Sequence, residues 1–202
     1  MLYAFGRCLA RWLFILGFDV RVRRPLHAPP AGGFILASNH QSYFDPPLLG
    51  SCLRRPVSFM ARDTLFRHPL FGGLIRGVGA FPVRRDGVGK ERLKEAVRRL
   101  KAGAAVVVFV EGTRTRTGEI GEIRDGAGLL SRLAGVPVVP AALDGTYRAW
   151  PRGRSFPRPS RVRVAFGQPI PAERFRKDPE GGRLELETSI RSLHASLSKS
   201  QS

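Results

Sequence analysis

Cysteine is scarce in this sequence, because Cys8 and Cys52 are the 2 cysteines among its 202 residues. So few cysteines give no disulfide framework and no multi-cysteine metal pattern, which fits a reduced compartment best. The 4 histidines lie far apart and none forms a His-x3-His ligand pair, so we expect no metal site. The sequence also lacks a Gly-x-Ser-x-Gly elbow, which disfavours a serine hydrolase.

Acidic residues are outnumbered, because 16 aspartates and glutamates stand against 34 lysines and arginines and leave a formal net charge of +18. This charge implies an anionic partner, which can be nucleic acid, a phosphorylated substrate or an acidic membrane surface. No helix-turn-helix, zinc finger or aromatic RNA-binding signature is evident in the sequence. A basic nucleic-acid-binding protein is therefore an alternative, but we expect no nucleic acid.

The N-terminus lacks an apolar run long enough to cross a bilayer. Residues 12–18 fall short of the roughly 20 residues that a transmembrane helix requires, and no small-residue cleavage site follows them. Apolar residues recur instead along one helical face, which comprises Leu2, Phe5, Leu9, Trp12, Leu13 and Leu16. Arg7 and Arg11 interrupt this face. We predict an amphipathic helix over residues 1–20, which either lies in a membrane interface or packs on the protein's own core.

A histidine and a carboxylate follow the first apolar run, residues 34–37. His40 and Asp45 are five positions apart, and along a continuous helix their side chains would diverge by about 140°, so they can meet only across a turn. A carboxylate that holds an imidazole makes it a base able to activate a hydroxyl. The alternative is a surface loop histidine beside an Asp45 that merely caps a helix. We predict that this helix begins near Pro46 and that Asp45 is its N-cap.

The rest of the chain alternates helical and strand patterns. Helices are predicted over residues 88–102, 126–134 and 186–197, and strands over 104–110, 136–143 and 161–166. This alternation predicts an α/β fold with a mixed, largely parallel central sheet flanked by helices. With 43% hydrophobic residues, the chain suits a single domain over residues 1–202. Within it we place an N-terminal helix at 1–20, an α/β core at 32–170 and a C-terminal helix at 180–198.

A second polar cluster, Glu111-Gly112-Thr113-Arg114, follows the apolar strand 104–110. Ligands of open α/β sheets gather beyond the carboxyl ends of strands, so we expect this cluster to converge with His40 and Asp45. Arg114 can hold a phosphate together with the Thr113 hydroxyl or backbone amides. The alternative is a charged surface turn.

Four motifs in this order resemble the glycerolipid acyltransferase family, typified by bacterial PlsC-like 1-acylglycerol-3-phosphate acyltransferases. They are Asn39-His40-Gln41-Ser42-Tyr43-Phe44-Asp45, Gly79-Ala80-Phe81-Pro82-Val83-Arg84-Arg85, Val106-Val107-Val108-Phe109-Val110-Glu111-Gly112-Thr113-Arg114 and Gly135-Val136-Pro137-Val138-Val139-Pro140. Residues 144–147 and 161–170 also look like that family's closing segments. The resemblance therefore covers most of the chain, whereas the first twenty residues match only in character.

The resemblance implies a membrane-surface enzyme that moves a fatty acyl group from acyl-CoA or acyl carrier protein to 1-acyl-sn-glycerol-3-phosphate, giving phosphatidic acid. Another lysolipid can take the acceptor's place. His40 is then the general base and Asp45 its orienter, with the substrate hydroxyl as nucleophile and no cofactor. The expected location is the cytoplasmic face of the membrane, peripheral or monotopic. A catalytically idle membrane binder is a further alternative, which the intact His-Asp pair disfavours.

The resemblance also implies how the acceptor's phosphate is bound. It assigns this role to Arg85, Glu111, Gly112, Thr113 and Arg114. The Glu111 carboxylate would repel a phosphate, so we expect it to position Arg114 or Arg85 rather than to touch the ligand.

Four further residues are supporting candidates. They are Asn39, Arg84, Arg124 and Pro140. Arg84 stands where an acidic residue is common in the family, and Arg124 stands where a lysine is common, which keeps the charge but not the shape. Pro140 belongs to a motif with a family role in acyl-donor binding, although a proline in a buried strand can be purely structural. Val110 occupies a position where the family usually has proline, and we expect this to affect only turn rigidity.

Residues 148–163 carry arginines, Trp150 and Phe156 but no acidic residue. This segment is either a basic loop against lipid headgroups or coenzyme A phosphates, or a solvated connector.

Overall fold

A 7-stranded sheet forms the centre of the molecule. The structure is a computed structural model that describes residues 17–24, 29–53, 55–77, 79–83 and 90–199. The strands are β1 (Val20–Arg24), β2 (Phe34–Ser38), β3 (Val57–Arg62), β4 (Ala80–Val83), β5 (Ala105–Phe109), β6 (Val138–Asp144) and β7 (Val162–Phe166).

The strand order confirms the predicted fold class. The strands follow each other across the sheet as β1-β7-β6-β2-β5-β3-β4, and neighbours are parallel except for the antiparallel pair β6 and β7. The molecule is thus an α/β protein with a mixed, mostly parallel sheet. Because β7 runs back along β6, the connection between these two strands leaves from and returns to the same edge of the sheet. That edge also carries the carboxyl ends of β2 and β5.

Helices and one 3-10 turn, Asp63–Phe66, connect the strands. The helices are α1 (Asp45–Cys52), α2 (Pro69–Gly77), α3 (Lys90–Lys101), α4 (Gly126–Ala134), α5 (Thr146–Ala149), α6 (Ala172–Lys177) and α7 (Pro179–Ser198). The helices predicted over residues 88–102 and 126–134 are α3 and α4, and the helix predicted over 186–197 lies within α7. Helix α7 begins where its sequence indicates, since the Asp178 carboxylate accepts from the Gly181 N–H at 2.9 Å and proline occupies the first turn.

The sheet is covered on both faces. Successive residues of β2 belong to two different apolar clusters, with Phe34 and Leu36 in one and Ile35 and Ala37 in the other, all of them fully buried. Strand β5 alternates in the same way. A parallel sheet needs this double cover, which explains why these strands read as unbroken apolar runs rather than as alternating patterns. Helix α1 covers the first cluster, whereas α4 and α7 cover the second.

The predicted amphipathic helix over residues 1–20 lies largely outside the described residues, which begin at Gly17. Gly17 and Phe18 are helical, and the Phe18 ring meets the edge of Phe44 with 4.7 Å between centroids. None of the helices in the described ranges has both the length and the hydropathy that a bilayer crossing requires. The division into segments 1–20, 32–170 and 180–198 stays a prediction.

Candidate active site

His40 and Asp45 meet across a tight turn at the carboxyl end of β2. The Nδ1 atom of His40 lies 2.7 Å from Oδ2 of Asp45, and the side chains are 16% and 0% exposed. His40 lies in the loop after β2, whereas Asp45 begins α1. The sequence prediction that the pair can meet only across a turn is therefore confirmed, and the alternative of a surface histidine is not.

The Asp45 carboxylate is held by the turn that it closes. Its Oδ2 atom accepts from the backbone N–H groups of Gln41 at 2.6 Å and Ser42 at 2.8 Å, in addition to facing His40. The predicted N-cap role of Asp45 was wrong. The N-cap is Phe44, and Asp45 is the first helical residue, because its carboxylate points back into the turn rather than toward the helix amides. This arrangement fixes the carboxylate before any substrate binds.

The last residue of β5, Phe109, packs against the imidazole of His40. The imidazole of His40 stacks on the Phe109 ring, with 3.8 Å between centroids and 13° between planes. The Thr115 N–H donates to the His40 carbonyl at 2.8 Å, and the Val110 N–H donates to the Ser38 carbonyl at 3.0 Å. The polar clusters after β2 and β5 therefore converge as predicted. A stacked ring cannot tilt freely, so Phe109 helps to fix the direction of Nε2.

Glu111 binds the backbone of the histidine loop. Its carboxylate is buried and accepts from the His40 N–H through Oε1 at 2.8 Å and from the Gly121 N–H through Oε2 at 3.0 Å. Glu111 was expected to position Arg114 or Arg85, and the Arg114 alternative was wrong, because the described residues show no ion pair between Glu111 and Arg114. Arg85, the other expected partner, lies outside the described residues. Glu111 thus ties the loop after β5 to the residue that carries the imidazole.

Arg114 lies beside the turn of the His-Asp pair. Its guanidinium carbon is 3.6 Å from the centroid of the Tyr43 ring, which is the distance of a cation-π contact. The Nη1 atom is buried without a hydrogen-bond partner among the described residues. A buried donor without a partner among the described residues, beside the turn that holds His40, suits an anionic ligand. Gly112, which has a φ of 69°, and the exposed Thr113 lie in the same loop.

Three polar residues of the histidine loop anchor it to neighbouring elements. Asn39 pairs with the backbone of Leu143, donating to its carbonyl at 2.9 Å and accepting from its N–H at 2.8 Å. The Gln41 side chain donates to the Gly118 carbonyl at 2.9 Å. The Ser42 hydroxyl donates to the Trp150 carbonyl at 2.7 Å. Asn39 was named from the sequence, but Gln41 and Ser42 were missed. Their position between His40 and Asp45 could have indicated them, because polar side chains that are buried with such a pair need hydrogen-bond partners.

Comparison with known proteins identifies the family. Residues 19–144, more than half of the chain, match the family model described as Acyltransferase. This chain belongs to the acyltransferase family. The resemblance drawn from the sequence motifs is thereby confirmed.

Three relatives show how far the similarity to other family members extends. The 1-acyl-sn-glycerol-3-phosphate acyltransferase of Bacillus subtilis is 28% identical over 188 residues, which are 93% of this chain and 92% of that one. The chloroplastic 1-acyl-sn-glycerol-3-phosphate acyltransferase BAT2 of Brassica napus is 34% identical over 67% of this chain, which spans 40% of that protein. The crystal structure of the 1-acyl-sn-glycerophosphate (LPA) acyltransferase PlsC from Thermotoga maritima matches with a TM-score of 0.79 and 30% identity, covering 95% of this chain and 76% of that one.

The remaining candidates take different places in this acyltransferase. Arg84 and Arg85 lie outside the described residues. The exposed Arg124 places its guanidinium beside Gly112, and its N–H donates to the Val110 carbonyl at 2.9 Å. Pro140 is buried within β6 opposite Ala37, away from the strand end, where its carbonyl accepts from the Gly167 N–H at 2.8 Å. This position supports the structural reading of Pro140.

Val110, which stands where the family usually has proline, adds a backbone hydrogen bond between β2 and the end of β5. We expected only turn rigidity to change, but the Val110 N–H extends the β2–β5 ladder by donating to Ser38. A proline has no N–H and cannot make this bond. The loop after β5 is therefore fastened directly to the strand that leads into His40.

Proposed function

We propose that this acyltransferase moves a fatty acyl group from acyl-CoA or acyl carrier protein to the free hydroxyl of 1-acyl-sn-glycerol-3-phosphate, giving phosphatidic acid for phospholipid synthesis. The observation that carries the proposal is the His40–Asp45 pair, 2.7 Å apart, beside an arginine whose buried Nη1 has no partner among the described residues. The relatives' names add the acceptor, since both the Bacillus subtilis and Thermotoga maritima proteins are named for it. The enzyme works at a membrane surface, peripheral or monotopic, on the cytoplasmic face.

His40 acts as the general base through Nε2. Oδ2 of Asp45, as a carboxylate oxygen, can only accept hydrogen bonds, so we assign the proton of the neutral imidazole to Nδ1. Nε2 then carries the lone pair. As Nε2 takes the proton of the acceptor hydroxyl, the fixed Asp45 carboxylate stabilises the imidazolium that forms.

The acyl group passes directly between the substrates. The hydroxyl oxygen of the acceptor attacks the thioester carbonyl carbon, a carbon–oxygen bond forms and the carbon–sulfur bond breaks. The proton held by His40 then passes to the departing thiolate, which leaves as the free thiol. Because the substrate hydroxyl is itself the nucleophile, this route needs no covalent enzyme intermediate.

Arg114 and Thr113 hold the acceptor's phosphate. The guanidinium is already oriented by Tyr43, so a planar fork is presented to the ligand at little further loss of conformational freedom. We also assign Arg85 to the phosphate, because it belongs to the motif at residues 79–85 that resembles the family's. Glu111 and Gly112 contribute indirectly, Glu111 through the His40 backbone and Gly112 through its positive φ.

Replacing Arg114 with lysine is expected to raise the KM for 1-acyl-sn-glycerol-3-phosphate by about tenfold or more, with a smaller effect on kcat. A lysine ammonium keeps the charge but loses the planar stacking and the bidentate fork. Steady-state kinetics with the acceptor varied at saturating acyl donor measure this change.

Arg116→Lys is the matched control, because Arg116 is an exposed arginine two residues along the same loop. Its KM values should stay within about twofold of the parent enzyme, as is usual for exposed substitutions. If Arg114→Lys raises the KM for the acyl donor alone, Arg114 binds the donor rather than the acceptor.

The reaction itself is tested by mass spectrometry of the products. The enzyme is incubated with a panel of lysolipid acceptors and with both acyl-CoA and acyl carrier protein donors. We expect phosphatidic acid from 1-acyl-sn-glycerol-3-phosphate as the main product. If another lysolipid is acylated in preference to it, the proposed acyl transfer stands but the acceptor is different. If no combination of donor and acceptor gives an acylated product, the proposal is refuted.

A further inference from the structure

The connection between α5 and β7, residues 150–161, forms an exposed basic surface that we name the arginine loop. Arg152, Arg154, Arg158 and Arg161 are exposed, and Phe156 between them is 79% exposed. The sequence has no acidic residue between Asp144 and Glu173. Within the described part of the chain, none of these four arginines forms an ion pair. Their charges are thus available to an external partner.

The arginine loop has a defined shape. The indole N–H of Trp150 donates to the Arg154 carbonyl at 2.8 Å. Arg158 is fixed at two points, because its backbone N–H donates to the Ala149 carbonyl at 2.9 Å and its Nε donates to the Arg148 carbonyl at 2.7 Å. These bonds close the loop on itself and leave the Phe156 ring on its outside. A surface with a fixed shape presents its charges without a large ordering cost on binding.

The loop is joined to the active-site turn. Trp150 accepts from the Ser42 hydroxyl through its carbonyl, and its ring lies 5.3 Å from Tyr43 and 5.0 Å from Phe44, measured between centroids. Phe44 also contacts Phe18, the last helical residue of the N-terminal segment. Because the connection from β6 to β7 lies at the carboxyl edge of the sheet, the loop and His40 are on the same side of the molecule. A partner bound by the loop is therefore held close to the catalytic turn.

We propose that the arginine loop docks this enzyme on an anionic bilayer, with Phe156 entering the interface while Arg152, Arg154, Arg158 and Arg161 bind lipid phosphates. An exposed aromatic ring bordered by arginines has the chemistry of an interfacial anchor. A soluble phosphate ligand gains nothing from an exposed apolar side chain such as Phe156. The inference rests on the proposed function in one respect, namely that the acceptor is a membrane lipid. Docking at this loop would bring that lipid to His40 without full extraction from the bilayer.

Binding of the full chain to sedimented vesicles tests the proposal. Vesicles of phosphatidylcholine alone are compared with vesicles that also contain phosphatidylglycerol. Arg152→Gln/Arg154→Gln is expected to weaken binding to the anionic vesicles by about 30-fold, because each arginine near an anionic membrane surface contributes roughly fivefold. Phe156→Ser is expected to weaken it by about tenfold, because a buried aromatic side chain is lost. Lys101→Gln/Lys177→Gln is the control, since it removes the same charge from exposed positions at the ends of α3 and α6.

The control should bind the anionic vesicles within about threefold of the parent chain. If the lysine and arginine double variants lose vesicle binding equally, the effect is due to net charge alone and the proposal is overturned. Unchanged vesicle binding of Phe156→Ser would also overturn it. A raised KM for acyl-CoA or acyl carrier protein with unchanged vesicle binding would also overturn it and make the loop a donor site. Acyl transfer to a lysolipid in detergent micelles, without vesicles, is measured in parallel and should be unaffected in all three variants. If the parent enzyme transfers no acyl group, the proposed function fails, but the vesicle result still decides the docking surface.

Discussion

Replacing His40 with alanine is expected to lower kcat by about 10³-fold, because a positioned general base contributes roughly 10²- to 10⁴-fold to a proton transfer. The KM for the acceptor should stay within about threefold, since the proposed phosphate contacts do not involve the imidazole. The variant should remain folded, because the ring is at the edge of the core and Oδ2 of Asp45 keeps its two backbone donors when the imidazole is removed. Single-turnover acyl transfer followed by mass spectrometry measures the rate, and thermal unfolding checks the fold.

His68→Ala is the control for this experiment, because His68 is an exposed histidine of the segment between the 3-10 turn and α2. Its kcat should match that of the parent enzyme. Turnover of His40→Ala within about threefold of the parent would remove His40 from the chemistry. A loss of activity that merely follows a loss of folded protein would assign His40 a structural role.

The sequence indicated the His-Asp turn by spacing, because five positions rule out a shared helix face. It indicated the convergence of the clusters after β2 and β5 by topology, because parallel strands end at one edge of a sheet. Both predictions depend on backbone geometry that local sequence sets. The buried β2, β5 and β6 were recognisable for the same reason, since strands covered on both faces are apolar without interruption.

The partners of polar side chains were much harder to predict. Glu111 was expected to pair with Arg114 or Arg85 because opposite charges attract, yet its carboxylate accepts from two backbone amides, those of His40 and Gly121, and forms no ion pair with Arg114 among the described residues. Asp45 was expected to cap α1, yet it turns toward Gln41 and Ser42. Backbone donors are present at every position except proline, so sequence pattern does not reveal which amide a carboxylate will reach. Contacts of this kind are set by how the loops close on each other.

Replacing Asp45 is expected to give two different losses, according to the substitution. All three donors, Nδ1 of His40 and the N–H groups of Gln41 and Ser42, face the same atom, Oδ2. The amide oxygen of Asp45→Asn can occupy that place and keep the imidazole in its tautomer. The negative charge that stabilises the imidazolium is lost, so kcat should fall by about 10²-fold. The new amide N–H donors stand at the buried Oδ1 position, which has no hydrogen-bond partner among the described residues, so the free energy of unfolding should also decrease.

Asp45→Ala removes the acceptor as well as the charge. Two backbone N–H groups then lose their partner beside a fully buried position, which costs roughly 1 to 3 kcal/mol for each unsatisfied donor. We expect kcat to fall by about 10³-fold, as for His40→Ala, together with a clear decrease in the free energy of unfolding. Denaturant unfolding and steady-state kinetics on the two variants separate the charge from the acceptor.

A double variant tests whether Asp45 acts through His40. If Asp45 only orients the imidazole and stabilises its charged form, it has nothing left to do once the imidazole is gone. His40→Ala/Asp45→Ala should therefore turn over at nearly the rate of His40→Ala alone, rather than at the product of the two single losses. A double variant slower by a further factor of about 10² or more would show that the Asp45 carboxylate contributes independently of His40. That result would contradict the geometry in which its one bonded oxygen is shared between the imidazole and the turn.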